Sequence, residues 1–183
     1  MELLTPRLHL RPFREEDAAD VYAYARDPKV GPIAGWPPHQ SEAESAEIIR
    51  TVFSASGVFA MELKESGQVI GSVGFIGNHP AGMLSGCPDD EVGYALSPAC
   101  WGLGLMPEAA EAVLEYGFTE LALRRIWCGH YAGNWRSKRT MEKCGFRYQF
   151  ARTTEVDLMR EFRQTYYYLL TEEDWRERVH RAV

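Results

Sequence analysis

Two glycines separated by one residue stand immediately before the most regular helical pattern of the chain. From Pro107 onward, apolar residues recur at the 3.6-residue period of an amphipathic helix, and proline is favoured at the first helical position. Gly102 and Gly104 let a ligand approach the backbone without interference from a Cβ atom. The free N–H groups and partial positive charge of a helix N-terminus favour an anion there. The segment 99–107 therefore predicts a pyrophosphate site.

Other motifs for phosphate binding or hydrolysis are absent from the sequence. It contains no Walker A pattern, and Pro107 stands where a dinucleotide-binding fingerprint needs a glycine. It also lacks the HExxH pattern of zinc hydrolases and the GxSxG turn of serine hydrolases. The four cysteines lie far apart, with no histidine at ligand spacing, which predicts free thiols and no metal site. A Gly-x-Gly pair also occurs in ordinary tight turns, so the pair alone identifies no ligand.

The length and composition are those of an average globular protein. The chain has 183 residues, 45% of them hydrophobic and 25% charged, which predicts a single domain over 1–183. The 26 acidic residues outnumber the 20 Lys and Arg residues, and the net charge of −6 disfavours nucleic acid as a partner. No run approaches the roughly 20 apolar residues of a membrane span, and the first ten residues carry no signal-peptide core. We therefore expect a cytoplasmic protein without a membrane partner.

Strand and helix patterns alternate along the chain. Strands are predicted over 5–13, 58–63, 69–76, 91–96, 125–129, 146–156 and 162–170. Helices are predicted over 15–26, from Ser41 to a point before Gly57, over 107–121, 134–144 and 171–181. The second helix has a Ser41–Glu44 capping box and the buried face Ile48, Ile49, Val52 and Phe53. The segment 31–40, with three prolines, is predicted to be a loop.

Several stretches in sequence order resemble one enzyme superfamily. They are EVGYALSP from position 91, WGLG from 101, EAA from 108, GNxxS from 133 and EKCGF from 142. This span resembles the GNAT superfamily of acetyl-coenzyme A dependent N-acetyltransferases. Within it, the chain resembles the branch containing the ribosomal-protein N-terminal (RimJ/RimL-like) acetyltransferases, whose first strand is similar to TPRLHLR from position 5.

The resemblance implies an α/β (α+β) fold with a mixed, largely antiparallel central sheet. The sheet would have about seven strands, would be parted in the middle, and would be flanked by four to five helices. The implied reaction is direct attack of an amine on acetyl-coenzyme A in a ternary complex, with no metal. The acceptor would be a protein N-terminal α-amine or a small-molecule amine, and the enzyme a monomer or homodimer.

The resemblance also implies how the coenzyme is held. The backbone of Ala95 and Leu96 would pair with the pantetheine arm as an added strand does. The amides from Leu103 to Met106 would bind the diphosphate, with Lys138 or Arg139 as a further contact. The residues implied to bind acetyl-coenzyme A are Ala95, Leu96, Gly102, Leu103, Gly104, Leu105, Met106, Asn134, Ser137 and Lys138. Alanine stands at position 99, where the family often has a polar side chain, and Glu108 must point away from the phosphates.

Two side chains are expected to transfer protons. Glu91 would accept the proton of the attacking amine, and partial burial would raise its pKa toward the working pH. Many relatives have tyrosine where Met141 stands, and methionine cannot donate a proton. Ser137 lies one turn earlier on the same helix face and would protonate the leaving thiolate, directly or through a water. The alternative to a catalytic role is that Glu91 belongs to a solvated run of acidic residues and that Ser137 is an ordinary hydroxyl on the helix surface.

The expected contacts with the acceptor are less closely tied to a motif. Trp36 and His39 lie in the proline-rich segment 31–40, and we expect them and Tyr94 to contact the acceptor. A tryptophan lid packed on the core is an equal alternative for that segment. A peptide acceptor would need an open groove between segment 31–40 and the region of Tyr166, whereas a closed pocket would favour a small molecule. A non-catalytic coenzyme A binding or sensing module and a nucleotide-binding domain are the alternative functions.

Overall fold

A computed structural model describes residues 1–80 and 87–181 of the chain, which form eight strands and six α-helices. The strands are β1 (Leu3–Leu4), β2 (Leu8–Arg11), β3 (Val58–Leu63), β4 (Val69–Phe75), β5 (Asp89–Leu96), β6 (Arg125–Tyr131), β7 (Arg147–Val156) and β8 (Glu161–Thr171). The helices are α1 (Ala18–Ala25), α2 (Gly31–Ala34), α3 (Glu42–Ile48), α4 (Leu105–Thr119), α5 (Trp135–Lys143) and α6 (Glu172–Arg181). None of these six helices combines the length and the apolar character that a membrane crossing needs.

The sheet has the strand order β1-β2-β3-β4-β5-β6-β8-β7. Every neighbouring pair is antiparallel except β5 and β6, which are parallel. This central pair is joined only over residues 89–91 and 125–127, after which no register partners connect the described parts of the two strands. The predicted mixed, largely antiparallel sheet that is parted in its middle is therefore confirmed.

The structure has one strand and one helix more than predicted. The extra strand is the two-residue β1, which extends the sheet edge beside β2. The prediction of a loop throughout 31–40 is wrong for its first four residues, because Pro32 is tolerated in a first helical turn and Gly35 ends the turn with φ of +98°. Helix α4 begins at Leu105, two residues before Pro107, whose missing N–H is not needed in the first turn.

The segment 41–53 departs from its predicted periodicity. The Ser41 hydroxyl accepts from the Glu44 amide as expected, but the Glu44 carboxylate accepts from the Gln40 amide and not from Ser41. A π-helical stretch from Ile49 to Phe53 follows α3 and changes the residues per turn. As a result Val52 is 52% exposed, so its predicted place on the buried face is wrong.

Two hydrophobic clusters cover opposite faces of the sheet. The larger one packs α4 on the strands and includes Val113, Leu114 and Val92. The smaller one is built around α1, with Val21 as a fully buried member, and Ala95 packs against it. Because successive side chains of a strand alternate between faces, Val92 and Ala95 point to opposite sides of β5. The four cysteines are free, as predicted, and three of them are buried.

Candidate active site

Two cavities meet where β5 and β6 separate. The cavity on the side of α4 and α5 has a volume of about 310 Å³, and we name it the amide cavity. The second cavity has a volume of about 220 Å³ and contains Glu91, and we name it the glutamate cavity. Both are lined by Ile33, Ala34, Tyr94, Asn134 and Ser137. The two cavities thus connect at the opening between the separated strands.

The N-terminus of α4 forms the wall of the amide cavity that attracts anions. Gly102 and Gly104 have φ angles of +80° and +76°, a left-handed conformation that glycine adopts without strain. The backbone N–H groups of residues 102–106 donate to no group within the described part of the chain. This wall is lined by Gly102, Gly104, Leu105 and Met106. Leu103, which was also expected at this site, is 57% exposed and is not among the lining residues.

A hydrogen-bond cluster from the N-terminal segment holds this wall in place. Glu108 accepts from the Thr5 hydroxyl at 2.6 Å and from Arg7 Nε at 2.7 Å, so its carboxylate points away from the free amides. Burial acts to raise the pKa of Glu108, but these hydrogen bonds outweigh it and lower the pKa below its ordinary value. Arg7 Nη1 also donates to the Leu103 carbonyl at 2.8 Å. Sequence reasoning missed Arg7, because no local pattern relates it to residues about a hundred positions away.

The basic face of α5 differs from the expected one. Lys138 does not line the amide cavity: its Nζ lies 3.6 Å from Glu142 Oε1, one turn further along the helix. Arg136, Arg139 and Lys143 line the cavity instead. Their spacing of i, i+3 and i+7 places them on one helix face, which was the available sequence signal. Of the two cations expected near the diphosphate, the geometry therefore favours Arg139.

The peptide groups of β5 alternate between β4 and the opening. The Ile76 amide donates to the Glu91 carbonyl at 3.0 Å, and the Ser97 amide donates to the Ile70 carbonyl at 2.8 Å. Since peptide groups alternate along an antiparallel strand, the odd-numbered residues of β5 direct theirs toward β4. The peptide groups of Ala95 therefore face β4, and Ala95 lines the amide cavity with its side chain. Tyr94 and Leu96 are the residues that turn their peptide groups to the opening.

Trp101 links the end of β5 to α5 beside the amide cavity. Its indole N–H donates to the Leu96 carbonyl at 3.0 Å, so the Leu96 amide is the group that is left for a ligand. The Arg136 guanidinium lies 4.2 Å from the centre of the indole ring, within the range of a cation–π contact. Trp101 was part of the motif that carried the resemblance, but no contact was predicted for it.

Tyr94, Asn134 and Ser137 meet at the junction of the two cavities. The Asn134 side chain accepts from the Ser137 amide at 3.2 Å and so caps α5. The Ser137 hydroxyl lies 2.9 Å from the Tyr94 hydroxyl, and Ser137 as a residue is 8% exposed. Burial raises the pKa of Tyr94 well above its ordinary value, so the phenol stays protonated. Met141 is 1% exposed and lies in the main core. Among the described residues that line both cavities, Tyr94 and Ser137 are the two that carry hydroxyl groups.

Glu91 is the charged side chain of the glutamate cavity. It is 7% exposed and accepts a hydrogen bond from the Asn78 side chain. Burial raises the pKa of the Glu91 carboxyl above its ordinary value, and hydrogen bonds from Asn78 and the Gly129 amide partly oppose this rise. A Cβ atom at Gly129 would lie 2.9 Å from Glu91 Oε1, so only glycine allows this close approach without a shift. Glu91 is therefore buried, as expected, and does not belong to a solvated run of acidic residues.

The segment 31–40 contributes different residues from those expected. Ile33 and Ala34 line both cavities, whereas Trp36 and His39 line neither. His39 is 9% exposed, its Nδ1 lies 2.8 Å from the Ser45 hydroxyl, and Trp36 packs against the cluster around α1. The predicted contact of Trp36 and His39 with an acceptor is therefore not supported, and the alternative of packing on the core describes them.

Comparison with known proteins identifies the family. The acetyltransferase (GNAT) domain family matches residues 7–147. The uncharacterized N-acetyltransferase YnaD of Bacillus subtilis (strain 168) is 29% identical over 178 residues, which cover 96% of this chain and 99% of YnaD. A solved GNAT-family acetyltransferase from Bacillus anthracis is 27% identical, with a TM-score of 0.81 over 94% of this chain and 99% of that one. A putative ribosomal-protein-serine acetyltransferase from Vibrio cholerae is 18% identical, with a TM-score of 0.77 over 93% and 97% of the two chains.

These findings agree with the geometry of the site. The matched residues 7–147 include Arg7, the glycines before α4, Glu91 and Ser137. The relatives are named N-acetyltransferases, and the parted sheet is the fold of the solved acetyltransferases. The chain is an acyltransferase and belongs to the GNAT family of acetyltransferases.

Proposed function

We propose that the enzyme transfers an acetyl group from acetyl-coenzyme A to a primary amine, which attacks the thioester directly in a ternary complex. The observation that carries this proposal is the row of free backbone amides at residues 102–106. They face a cavity that joins the cavity of Glu91 at the opening between β5 and β6. One cavity suits a diphosphate-bearing acyl donor, and the other offers a base to an amine.

The residues of the amide cavity fit acetyl-coenzyme A. The amides of residues 102–106 and the positive end of the α4 dipole would hold the diphosphate. Arg139 and Lys143 add positive charge on the opposite wall. The peptide groups of Tyr94 and the Leu96 amide are placed to pair with the pantetheine arm. When bound, the coenzyme supplies an acetyl group activated as a thioester.

Glu91 is proposed to accept the proton that the amine loses. Primary amines are largely protonated at neutral pH, because their ordinary pKa values are about 8 to 10. A carboxylate whose pKa is raised by burial is a stronger base than an exposed one. A protonated amine has no free electron pair, so it gives one proton to Glu91, directly or through a water, before the nitrogen attacks the acetyl carbon.

Ser137 is proposed to donate a proton to the leaving thiolate. Its hydroxyl stands at the junction of the cavities, beside the protonated phenol of Tyr94. When Tyr94 donates to the Ser137 oxygen, the Ser137 proton is free to point toward the amide cavity. The Ser137 proton then moves to sulfur as the carbon–sulfur bond breaks, and the serine oxygen, still hydrogen-bonded to Tyr94, takes up through a water the last proton that the attacking nitrogen loses.

The acceptor is proposed as a primary amine without assignment to the ribosomal-protein branch. The Vibrio cholerae protein whose name includes a ribosomal substrate is 18% identical to this chain, and that likeness carries the fold alone. The resemblance of the segment from Thr5 to Arg11 to that branch remains an expectation. A protein N-terminus and a small molecule are separated below from the shape of the glutamate cavity.

The test measures free thiol released from acetyl-coenzyme A by the purified protein with a panel of primary amines and peptides, alongside calorimetry of coenzyme binding. Amine-dependent thiol release supports the proposal. Coenzyme binding without release for any acceptor would favour the non-catalytic binding module, and no binding would contradict both.

A matched pair of glycine variants tests the amide wall. Gly102 and Gly67 both have positive φ, and at both a Cβ would have no atom within 4 Å, so alanine imposes similar strain on the backbone. We expect Gly102→Ala to weaken coenzyme binding and Gly67→Ala, in the β3–β4 turn, to leave it unchanged. Equal affinity of the two variants would contradict the role of the amides.

A further inference from the structure

The short helix α2 is tied to the far half of the sheet by one arginine. Arg163 of β8 donates through Nη1 to the Pro32 carbonyl at 2.5 Å. Its guanidinium also lies 5.2 Å from the centre of the Tyr131 ring on β6. These contacts lie on the side of the sheet where the glutamate cavity opens, because Tyr131 lines that cavity.

A second contact joins the end of α2 to Tyr131. A Cβ atom at Gly35 would lie 2.9 Å from the Tyr131 hydroxyl oxygen, so the backbone and the ring are in direct contact. The Asn134 side chain donates to the Ile33 carbonyl at 3.5 Å from the α5 side. Residues 31–35 are therefore held by β6, β8 and α5 together, and we name this segment the α2 cover.

The α2 cover occupies the place through which a peptide would have to pass. A peptide that enters between segment 31–40 and β8 in an extended conformation needs space for its backbone. Neighbouring extended chains lie about 4.8 Å apart, so the peptide needs about that distance to the chain on each side. The hydrogen bond from Arg163 to Pro32 and the contact of Gly35 with Tyr131 span that path. The volume of about 220 Å³ is also below the roughly 300–1,000 Å³ of cavities that take drug-sized ligands.

The lining of the glutamate cavity also restricts charge. Among the described residues of the lining, Glu91 is the one acidic side chain, and there is no Lys or Arg. His130 is 4% exposed, and burial lowers its pKa below the ordinary value, so it stays neutral. Arg152 donates to the Pro80 carbonyl at 2.9 Å and does not line the cavity. A carboxylate next to the amine would therefore lie near Glu91 with no lining cation to pair with it.

The remaining lining mixes apolar and hydroxyl groups. Ile33 and Ile76 supply apolar surface, while Tyr131, Thr165 and Tyr167 supply hydroxyl groups. We propose that the acceptor is a small primary amine with an uncharged, partly apolar body, enclosed under the α2 cover, and not a polypeptide N-terminus. This inference rests on the proposed acetyl transfer and specifies its acceptor.

The first experiment compares three acceptor sets by thiol release from acetyl-coenzyme A. The sets are uncharged-body amines such as tyramine and isoamylamine, free α-amino acids, and hexapeptides with an unblocked N-terminus. We expect kcat/KM for the best amine of the first set to exceed that of the other sets by at least tenfold. Peptides or amino acids used equally well would overturn the inference and leave acetyl transfer intact. Absence of thiol release with all three sets, despite coenzyme binding in calorimetry, would overturn both.

The second experiment opens the α2 cover. Arg163→Met keeps much of the side-chain length but removes the hydrogen bond to Pro32, and Arg163→Gln provides a second variant if the first folds poorly. We expect either variant to raise the ratio of peptide to small-amine kcat/KM several-fold. Arg147→Met, an exposed arginine at the far end of β7, is the matched control and should leave the ratio unchanged. An unchanged ratio in the folded Arg163 variants would overturn the role of the cover.

Discussion

The Ser137 hydroxyl lies 2.9 Å from the Tyr94 hydroxyl at the point where β5 and β6 separate. Tyr94 can also donate to the Ser137 carbonyl at 3.2 Å, so the phenol has two alternative acceptors in the same residue. Donation to the hydroxyl oxygen turns the serine proton away from the phenol and leaves it for another acceptor. The pair thus can work as a proton donor in which the tyrosine sets the direction of the serine proton.

This pair makes a prediction about two single variants and their combination. We expect Ser137→Ala to lower kcat by roughly 100-fold, the usual size of a lost general acid, with little change in coenzyme affinity. Tyr94→Phe should lower kcat by a smaller factor, since the serine hydroxyl remains. Because both act on one proton, the double variant should be no slower than Ser137→Ala. Steady-state kinetics decide the point, and losses that multiply in the double variant would contradict a shared path.

The second prediction concerns the pH dependence of Glu91. The base must be ionised, so kcat/KM should rise with pH through the raised pKa of Glu91 and level off above it. We expect Glu91→Gln to lower kcat by about 100-fold or more and to remove this acidic limb from the pH profile. A variant that keeps both the rate and the acidic limb would exclude Glu91 as the base.

The same shift gives a control for folding. A carboxyl whose pKa is higher in the folded than in the unfolded state loses folding free energy when it ionises. The penalty is absent below the unfolded-state pKa and is complete above the folded-state pKa. At neutral pH, Glu91→Gln should therefore have a free energy of unfolding equal to or above that of the unaltered protein. Denaturant unfolding checks this, and a large loss of stability would mean that the activity loss reflects misfolding.

The third prediction concerns the basic face of α5. Arg139 and Lys143 line the amide cavity, whereas Lys138 lies beside Glu142. We expect Arg139→Gln and Lys143→Gln to raise KM for acetyl-coenzyme A with little effect on kcat, and to make KM less sensitive to salt. Lys138→Gln is the matched control, with the same change of charge on the same helix. If Lys138→Gln raises KM as much as the other two, the effect comes from net charge and not from the cavity.

The sequence predicted the parts of this site that depend on local chemistry. Gly102 and Gly104 before a strong helix pointed to free amides, since a positive φ and a helix start are both local properties. Glu91 and Ser137 were predicted with the help of a resemblance whose motifs stand in order along the chain, and their roles stay predictions. The mixed, largely antiparallel sheet that is parted in its middle was expected from the same resemblance, because alternating strand and helix patterns alone fit several α/β topologies.

The residues that sequence reasoning misplaced depend on packing between distant segments. Lys138 and Arg139 are neighbours in sequence, and only the rotation of α5 against the cavity decides which of them faces it. Ala95 and Leu96 differ likewise, because the register with β4 sets which peptide group is free. Arg7 and Arg163 act on residues about a hundred or more positions away, which no local pattern encodes.

The last prediction concerns stability away from the site. Arg11 is 3% exposed, and its guanidinium donates two 2.8 Å hydrogen bonds to Asp17 and one of 2.6 Å to Glu62. These hydrogen bonds to Asp17 and Glu62, opposed by burial, raise the pKa of Arg11, so the cation stays charged. Removing one partner of a buried ion pair leaves the other charge uncompensated.

We therefore expect Asp17→Ala to lower the free energy of unfolding by about 3 kcal/mol, measured by denaturant unfolding. The matched control is Glu47→Ala, which removes an ion pair with Arg50 in which both side chains are about half exposed. Water screens such a pair, so its loss should be small by comparison. Because the Arg11 cluster lies outside both cavities, kcat and KM of folded Asp17→Ala should match those of the unaltered enzyme. Equal losses of stability in the two variants would show that burial does not strengthen the Arg11–Asp17 interaction.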